Sequence, residues 1–145
     1  MYLNAKRYIS EYSDKEVFDE LNSVDMPSKG KMKIKGIECS AMYWRKANAI
    51  HRWFVENVQG GEDDCNEYDV SREQLYDLLS CCRAVLGNHD LADDLLPTQD
   101  GFFFGDTLYG KYYFQDLEET ADGLLQVLQD TDGDNWWHFT YRSSW

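Results

Sequence analysis

Apolar side chains recur at helical spacing through residues 43–58. Tyr43, Trp44, Ala47, Ile50, His51, Phe54, Val55 and Val58 share one arc of a helix, and Arg45, Asn48, Arg52 and Glu56 share the other side. The pattern predicts a helix with one buried face, capped at its start by Ser40 and ended by Gly60 and Gly61, which accept the left-handed backbone that stops a helix. Two of its residues have two readings each. His51, inside the apolar arc, is either a satisfied core histidine or a group in an aromatic pocket with Tyr43, Trp44 and Phe54. Trp53 projects among Arg45, Lys46 and Asn57, so either another segment covers it or it anchors a partner.

The same patterning predicts the remaining elements. Residues 1–10 alternate as a short strand or extended arm, and Ser13 with Glu16 opens a short helix carrying Val17, Phe18 and Leu21. Lysines at 29, 31, 33 and 35 alternate with Met32 and Ile34, the spacing of a half-buried strand. Ser71 and Gln74 form a capping box before a stripe of Leu75, Leu78, Leu79, Cys82, Val85 and Leu86 that ends at Gly87. Residues 88–90 and 95–105 read as loops, the latter with Phe102, Phe103 and Phe104 as a short strand or packed turn. Asp106 or Thr107 is then placed to cap a long helix with Tyr113, Phe114, Leu117, Ala121, Leu124, Leu125, Val127 and Leu128 inward. Its outer side bears Gln115, Glu118, Glu119, Asp122, Gln126 and Gln129. Residues 136–145 alternate Trp137, Phe139 and Tyr141 with His138, Thr140 and Arg142, a strand placed to pair with the lysine-alternating one.

Together these elements imply a single α+β domain over residues 1–145, mostly helical, with three long helices, one short helix and a small antiparallel sheet. Its expected core is Trp44, Ile50, Phe54, Leu75, Leu79, Leu117, Leu124 and Leu128. A chain of this length buries a core without disulfides or metal, and the four cysteines, two of them adjacent, are expected to be reduced thiols. No apolar run approaches the ~20 residues that span a bilayer, and the start has no signal-peptide core, so a soluble cytoplasmic protein without membrane contact is expected.

Charge changes the functional picture. The net charge is −13, but residues 1–55 carry ten Lys/Arg against seven Asp/Glu, whereas residues 56–145 carry four against twenty. The second part repels phosphate, so direct nucleic-acid binding there is disfavoured and a basic protein surface is the expected partner. Candidate chemistry is sparse. There is no GxxxxGK[ST] and no GxGxxG, and the Cys and His residues lack zinc-site spacing. Asp130, Asp132 and Asp134 begin like a calcium loop, which then fails at Asn135 and Tyr141. Neither a catalytic residue, a metal nor a cofactor is assigned.

Several blocks resemble a family of small acidic proteins of unknown function encoded in tailed-phage genomes: MYLNAKRYI, YWRKANAIHRWFVENVQGGEDDC, VSREQLYDLL, LLPTQDGFFFG and the terminal YRSSW. Residues 11–39 depart most from that pattern. The resemblance implies a phage or prophage origin and carries no catalytic residues. The acidic surface expected on residues 56–145, the absent catalytic motif and the spare Trp53 suggest a non-enzymatic phage protein that inhibits a host protein, such as a defence nuclease or a CRISPR effector, through a surface that mimics nucleic acid. The expected contact residues are Trp53, then Glu62, Asp63, Asp64, Glu67 and Asp69 in an acidic loop, then Glu118, Glu119 and Asp122 on the last helix. The alternatives are a small enzyme or ligand-binding protein using His51, and an accessory protein that self-associates through aromatic surfaces.

Overall fold

The computed structural model describes residues 1–26, 29–100 and 107–144. The elements in chain order are β1 (Tyr2–Tyr8), α1 (Lys15–Ser23), β2 (Gly36–Tyr43), α2 (Asn48–Asn57), β3 (Glu67–Val70), α3 (Arg72–Gly87), α4 (Ala92–Leu95), α5 (Lys111–Asp130) and β4 (Trp137–Arg142). A 3-10 turn at His89–Leu91 leads into α4. The fold is α+β, with five helices and an antiparallel sheet of strand order β2-β1-β4-β3 among the described residues.

Period-two alternation decides the two faces of that sheet. Leu3 and Ala5 of β1, Val70 of β3, and Phe139 and Tyr141 of β4 are buried toward the helices, while Tyr2, Lys6, Tyr8 and their cross-strand partners face the other way. Helix α2 lies between the sheet and the outer helices. Phe54 stacks on Tyr141, ring centroids 3.9 Å apart, and Trp44 just before the helix donates its indole N–H to Thr120 Oγ1 of α5 at 2.8 Å. A helix enclosed in this way is buried on nearly all sides, which is why Asn48 and Trp53 are buried along with the apolar arc.

Helices α3 and α5 run antiparallel. Arg72, at the start of α3, donates to Leu128 O at 3.2 Å and to Thr131 O at 2.8 Å, so it supplies the cation that the last turn of α5 lacks in its own sequence. The capping box of Ser71 and Gln74 forms as expected. So does the expected core: all eight residues are buried. Gly123 of α5 is where that helix meets β2. A Cβ there would lie 2.4 Å from Met42 Cε, so the small residue lets the helix approach the strand.

Several expectations are corrected. Helix α2 begins at Asn48, because residues 36–43 pair with β1 as β2 and Lys46 takes a left-handed backbone, φ 63°, between strand and helix. Ser40 is therefore a strand residue, and Tyr43 is exposed. The lysines at 29–35 do not form a strand. Asn22 of α1 takes up the backbone of Ile34, accepting from its N–H at 2.7 Å and donating to its C=O at 3.0 Å, and that leaves the segment no ladder to join. Accordingly β4 pairs with β1 and β3 instead.

The Ser13 hydroxyl bonds Asp14 Oδ2 rather than capping α1. Asp14 stands at the N-cap but gives its carboxylate to Arg7, which also binds Asp134 at 2.6 Å. Gly110, not Asp106 or Thr107, precedes α5. Phe102, Phe103, Phe104 and Asp106 lie outside the described residues. No helix among the described residues is long and apolar enough to cross a membrane.

Candidate functional site

The acidic loop after α2 is built on a turn that only glycine enters easily. Gly60 and Gly61 have φ of 66° and 86°, and the Gly61 N–H returns to Val55 O at 2.8 Å. This reversal carries Asp63 back over the helix it has just left. Asp63 Oδ1 lies 3.0 Å from His51 Nε2, and Tyr141 Oη lies 2.7 Å from His51 Nδ1. One arrangement satisfies both contacts: Nε2–H donates to the carboxylate, and the neutral Nδ1 accepts from the tyrosine hydroxyl. Burial pushes the His51 pKa down, and the Asp63 charge opposes that only in part.

The next carboxylates are also engaged within the chain. Asp64 accepts from the Asn66 backbone N–H at 2.9 Å, from Asn66 Nδ2 at 2.7 Å and from the Tyr68 hydroxyl at 3.0 Å, and these bonds hold its pKa low. Glu67 accepts from Lys6 Nζ at 2.5 Å across the outer sheet face, again with a lowered pKa. Ser143 Oγ donates to Asp64 O and Arg142 Nε to Cys65 O, which tie the loop to the end of β4. The loop is thus a latched element. Of its five expected contact residues, Asp63, Asp64 and Glu67 bond within the chain, Asp63 and Glu67 while still exposed, and Glu62 and Asp69 are exposed as well. Glu67 and Asp69 belong to β3, a strand that the run of acidic residues concealed.

The ridge on α5 is different. Glu118, Glu119 and Asp122 are all exposed, with one lateral bond from Gln115 Nε2 to Glu119 at 2.8 Å. They belong to a wider acidic layer. Over residues 71–130, ten exposed carboxylates stand against two exposed cations, Arg83 and Lys111, among the described residues. At the inner edge of this layer the Asp116 carboxyl is pushed up to about 6, first by burial and then by Glu119.

Trp53 does not belong to that surface. It is 7% exposed, set edge-on against Phe54 and within hydrogen-bond reach of the Cys81 thiol on α3. Of the two sequence readings, the covered one describes its position. His51 is fully buried. A cavity of about 260 Å³ opens at the start of α2 between Arg45, Ala47, Ile50, Thr98, Tyr112 and Leu117, and His51 is not among the residues that line it. The His51 ring packs in the core and holds the loop through Asp63. All four cysteines are free thiols, and no three His, Cys, Asp or Glu side chains converge as metal ligands among the described residues.

Set against known protein families, curated proteins and solved structures, the chain matches none. The sequence signal missed at this site was the pairing of a histidine on an apolar arc with an aspartate twelve residues later, across two glycines that turn the chain back. The tyrosine partner, ninety residues away, left no local signal.

Proposed function

We propose that this chain is a non-enzymatic binding protein that inhibits a host protein by occupying a basic surface built to hold nucleic acid, as in a defence nuclease or a CRISPR effector. The observation that carries the reading is the excess of exposed carboxylates over residues 71–130 among the described residues, with Glu118, Glu119 and Asp122 of α5 among them. Carboxylates fixed on helices present charge at regular spacing, which steers a basic partner and weakens with salt as the screening length contracts to ~8 Å at physiological ionic strength. Glu62 and Asp69 extend the acidic surface, while the latched carboxylates of Asp63, Asp64 and Glu67 hold the intervening loop in shape.

The test is a pull-down of the tagged protein from bacterial lysate at low and high salt, with bound proteins identified by mass spectrometry. It is repeated with Glu118→Lys, Glu119→Lys and Asp122→Lys combined. The expected result is a nucleic-acid-binding protein that is retained at low salt, released at high salt and lost in the charge-reversed variant. Retention of the same partner by that variant rules the mechanism out.

A further inference from the structure

Strand β2 is an outer strand of the sheet, paired with β1 on one side only among the described residues. Its ladder starts where the Ile9 N–H donates to Lys35 O at 2.9 Å and closes where the Trp44 N–H donates to Met1 O at 3.0 Å. Between these bonds, antiparallel alternation turns the backbone groups of Ile37, Cys39 and Met42 toward β1, and those of Glu38, Ser40 and Tyr43 toward the open side. An open edge of this kind templates a further strand unless a proline, a lysine, an inward charge or a bulge blunts it. β2 contains no proline and no lysine, and its one register shift, at Ala41, leaves Gly36 to Ser40 as a regular edge. Its one charged side chain, Glu38, is drawn back over β1 by Asn4 at 2.9 Å and by Lys6 at 3.9 Å.

Charge around this edge is opposite to that of the rest of the molecule. Residues 29–46 carry six Lys/Arg and one Asp/Glu in a chain of net charge −13. Lys31, Lys33 and Lys35 precede the strand, Arg45 and Lys46 follow it, and all five are exposed. Lys33 approaches Glu11 at 3.4 Å, and the other four form no ion pair with a described residue.

We propose that the β2 edge binds an extended acidic segment of a partner protein, which joins the sheet as an added strand. Main-chain bonds to Glu38, Ser40 and Tyr43 supply affinity, and the cations at both ends of the strand select the sign of the incoming segment. A second copy of this chain fits less well: antiparallel pairing of two β2 strands that sets Glu38 of each against Ser40 of the other also sets Lys33 against Arg45. A nucleic acid would meet the cations but leave the open backbone groups unused, whereas a peptide engages both. The site uses none of the carboxylates of the acidic layer over residues 71–130, although α5 meets β2 at Gly123 and Met42, so either reading can fail without the other.

The test uses the full chain and a fluorescein-labelled peptide of alternating Glu and Val, as long as β2. Its comparators are a Lys–Val counterpart and a single-stranded oligothymidylate of equal charge to the Glu–Val peptide. By fluorescence anisotropy the Glu–Val peptide is expected to bind roughly tenfold tighter than the Lys–Val one, with the margin narrowing as salt rises. Amide hydrogen exchange should slow at Glu38, Ser40 and Tyr43. Ser40→Pro removes an open N–H and should abolish binding. Since that change can also unfold the strand, the surface variant Lys31→Glu, Lys33→Glu, Lys35→Glu, with its circular dichroism unchanged, should lose the preference for the acidic peptide. Equal affinity for the two peptides, oligothymidylate binding as tight as that of the Glu–Val peptide with no amide protection, a dimer by light scattering that Ser40→Pro dissolves, or no binding at all would each overturn the proposal.

Discussion

His51 and Tyr141 are ninety residues apart in sequence, yet the imidazole Nδ1 and the phenol oxygen meet at 2.7 Å in the core. The contact joins α2 to the sheet, and through Nε2 the same ring holds Asp63 of the acidic loop. Tyr141→Phe keeps the stacking on Phe54 but removes this buried hydrogen bond, so it should cost about 1–3 kcal/mol in urea unfolding. Asp63→Asn keeps an oxygen acceptor and should cost less. An unchanged unfolding midpoint for Tyr141→Phe would show that the hydrogen bond contributes nothing to stability.

Two groups make stability depend on pH in opposite directions. Burial holds His51 below its ordinary 6.5, so below that pH the unfolded chain takes up a proton that the native chain refuses. The His51 contribution is whole above 6.5 and declines as pH falls toward the folded value. Asp116 is raised from 3.8 to about 6, so the native chain holds a proton that the unfolded chain has released. Its contribution is whole below 3.8 and is lost as pH rises through about 6. Asp116→Asn should therefore stabilise the protein by ~1 kcal/mol near neutral pH, after allowance for the solvent that still reaches a half-buried carboxyl, and by nothing at the acid end. Thermal melts across this range for wild type and variant measure the difference.

Gly123 and Met42 form a tight packing pair. In a helix interior, glycine to alanine ordinarily gains about 1 kcal/mol, but here the new Cβ meets Met42 Cε at 2.4 Å. The obstacle is the end of a flexible side chain, so Gly123→Ala should come out near neutral. Gly123→Val should destabilise by about 1–3 kcal/mol through overpacking. Combining it with Met42→Ala should recover part of that loss, and additive costs in denaturant titrations would disprove the coupling.

Thiol reactivity should separate the cysteines by burial. Cys39 and Cys65 are exposed, while burial raises the Cys82 thiol to about 12 and also raises that of Cys81. In native protein at mildly alkaline pH, Ellman's reagent should label Cys39 and Cys65 first, and Cys82 only on unfolding. Early labelling of Cys82 would mean that the core opens far more readily than its packing implies.

Features encoded within one or two helical turns were determined by the sequence alone. The capping box of Ser71 and Gln74, the stripe from Leu75 to Val85 and the inward positions of Leu117, Leu124 and Leu128 all depend on neighbours three or four residues away. The outward placement of Glu118, Glu119 and Asp122 follows from the same period. Tertiary structure decided whatever depended on a distant partner. Ser40 reads as a helix cap and Tyr43 as the first residue of a helical arc, but the backbone of β1 claims both as strand. Trp53 lies on the polar side of α2 when that helix is drawn alone, and α3 covers it. Asp63 and Glu67 read as free surface charges until His51 and Lys6 reach them across twelve and sixty-one residues. Periodicity shows that a face is apolar or that a strand alternates; it cannot name what meets that face, because the energy of the meeting is realised only when chain closure brings the two segments together.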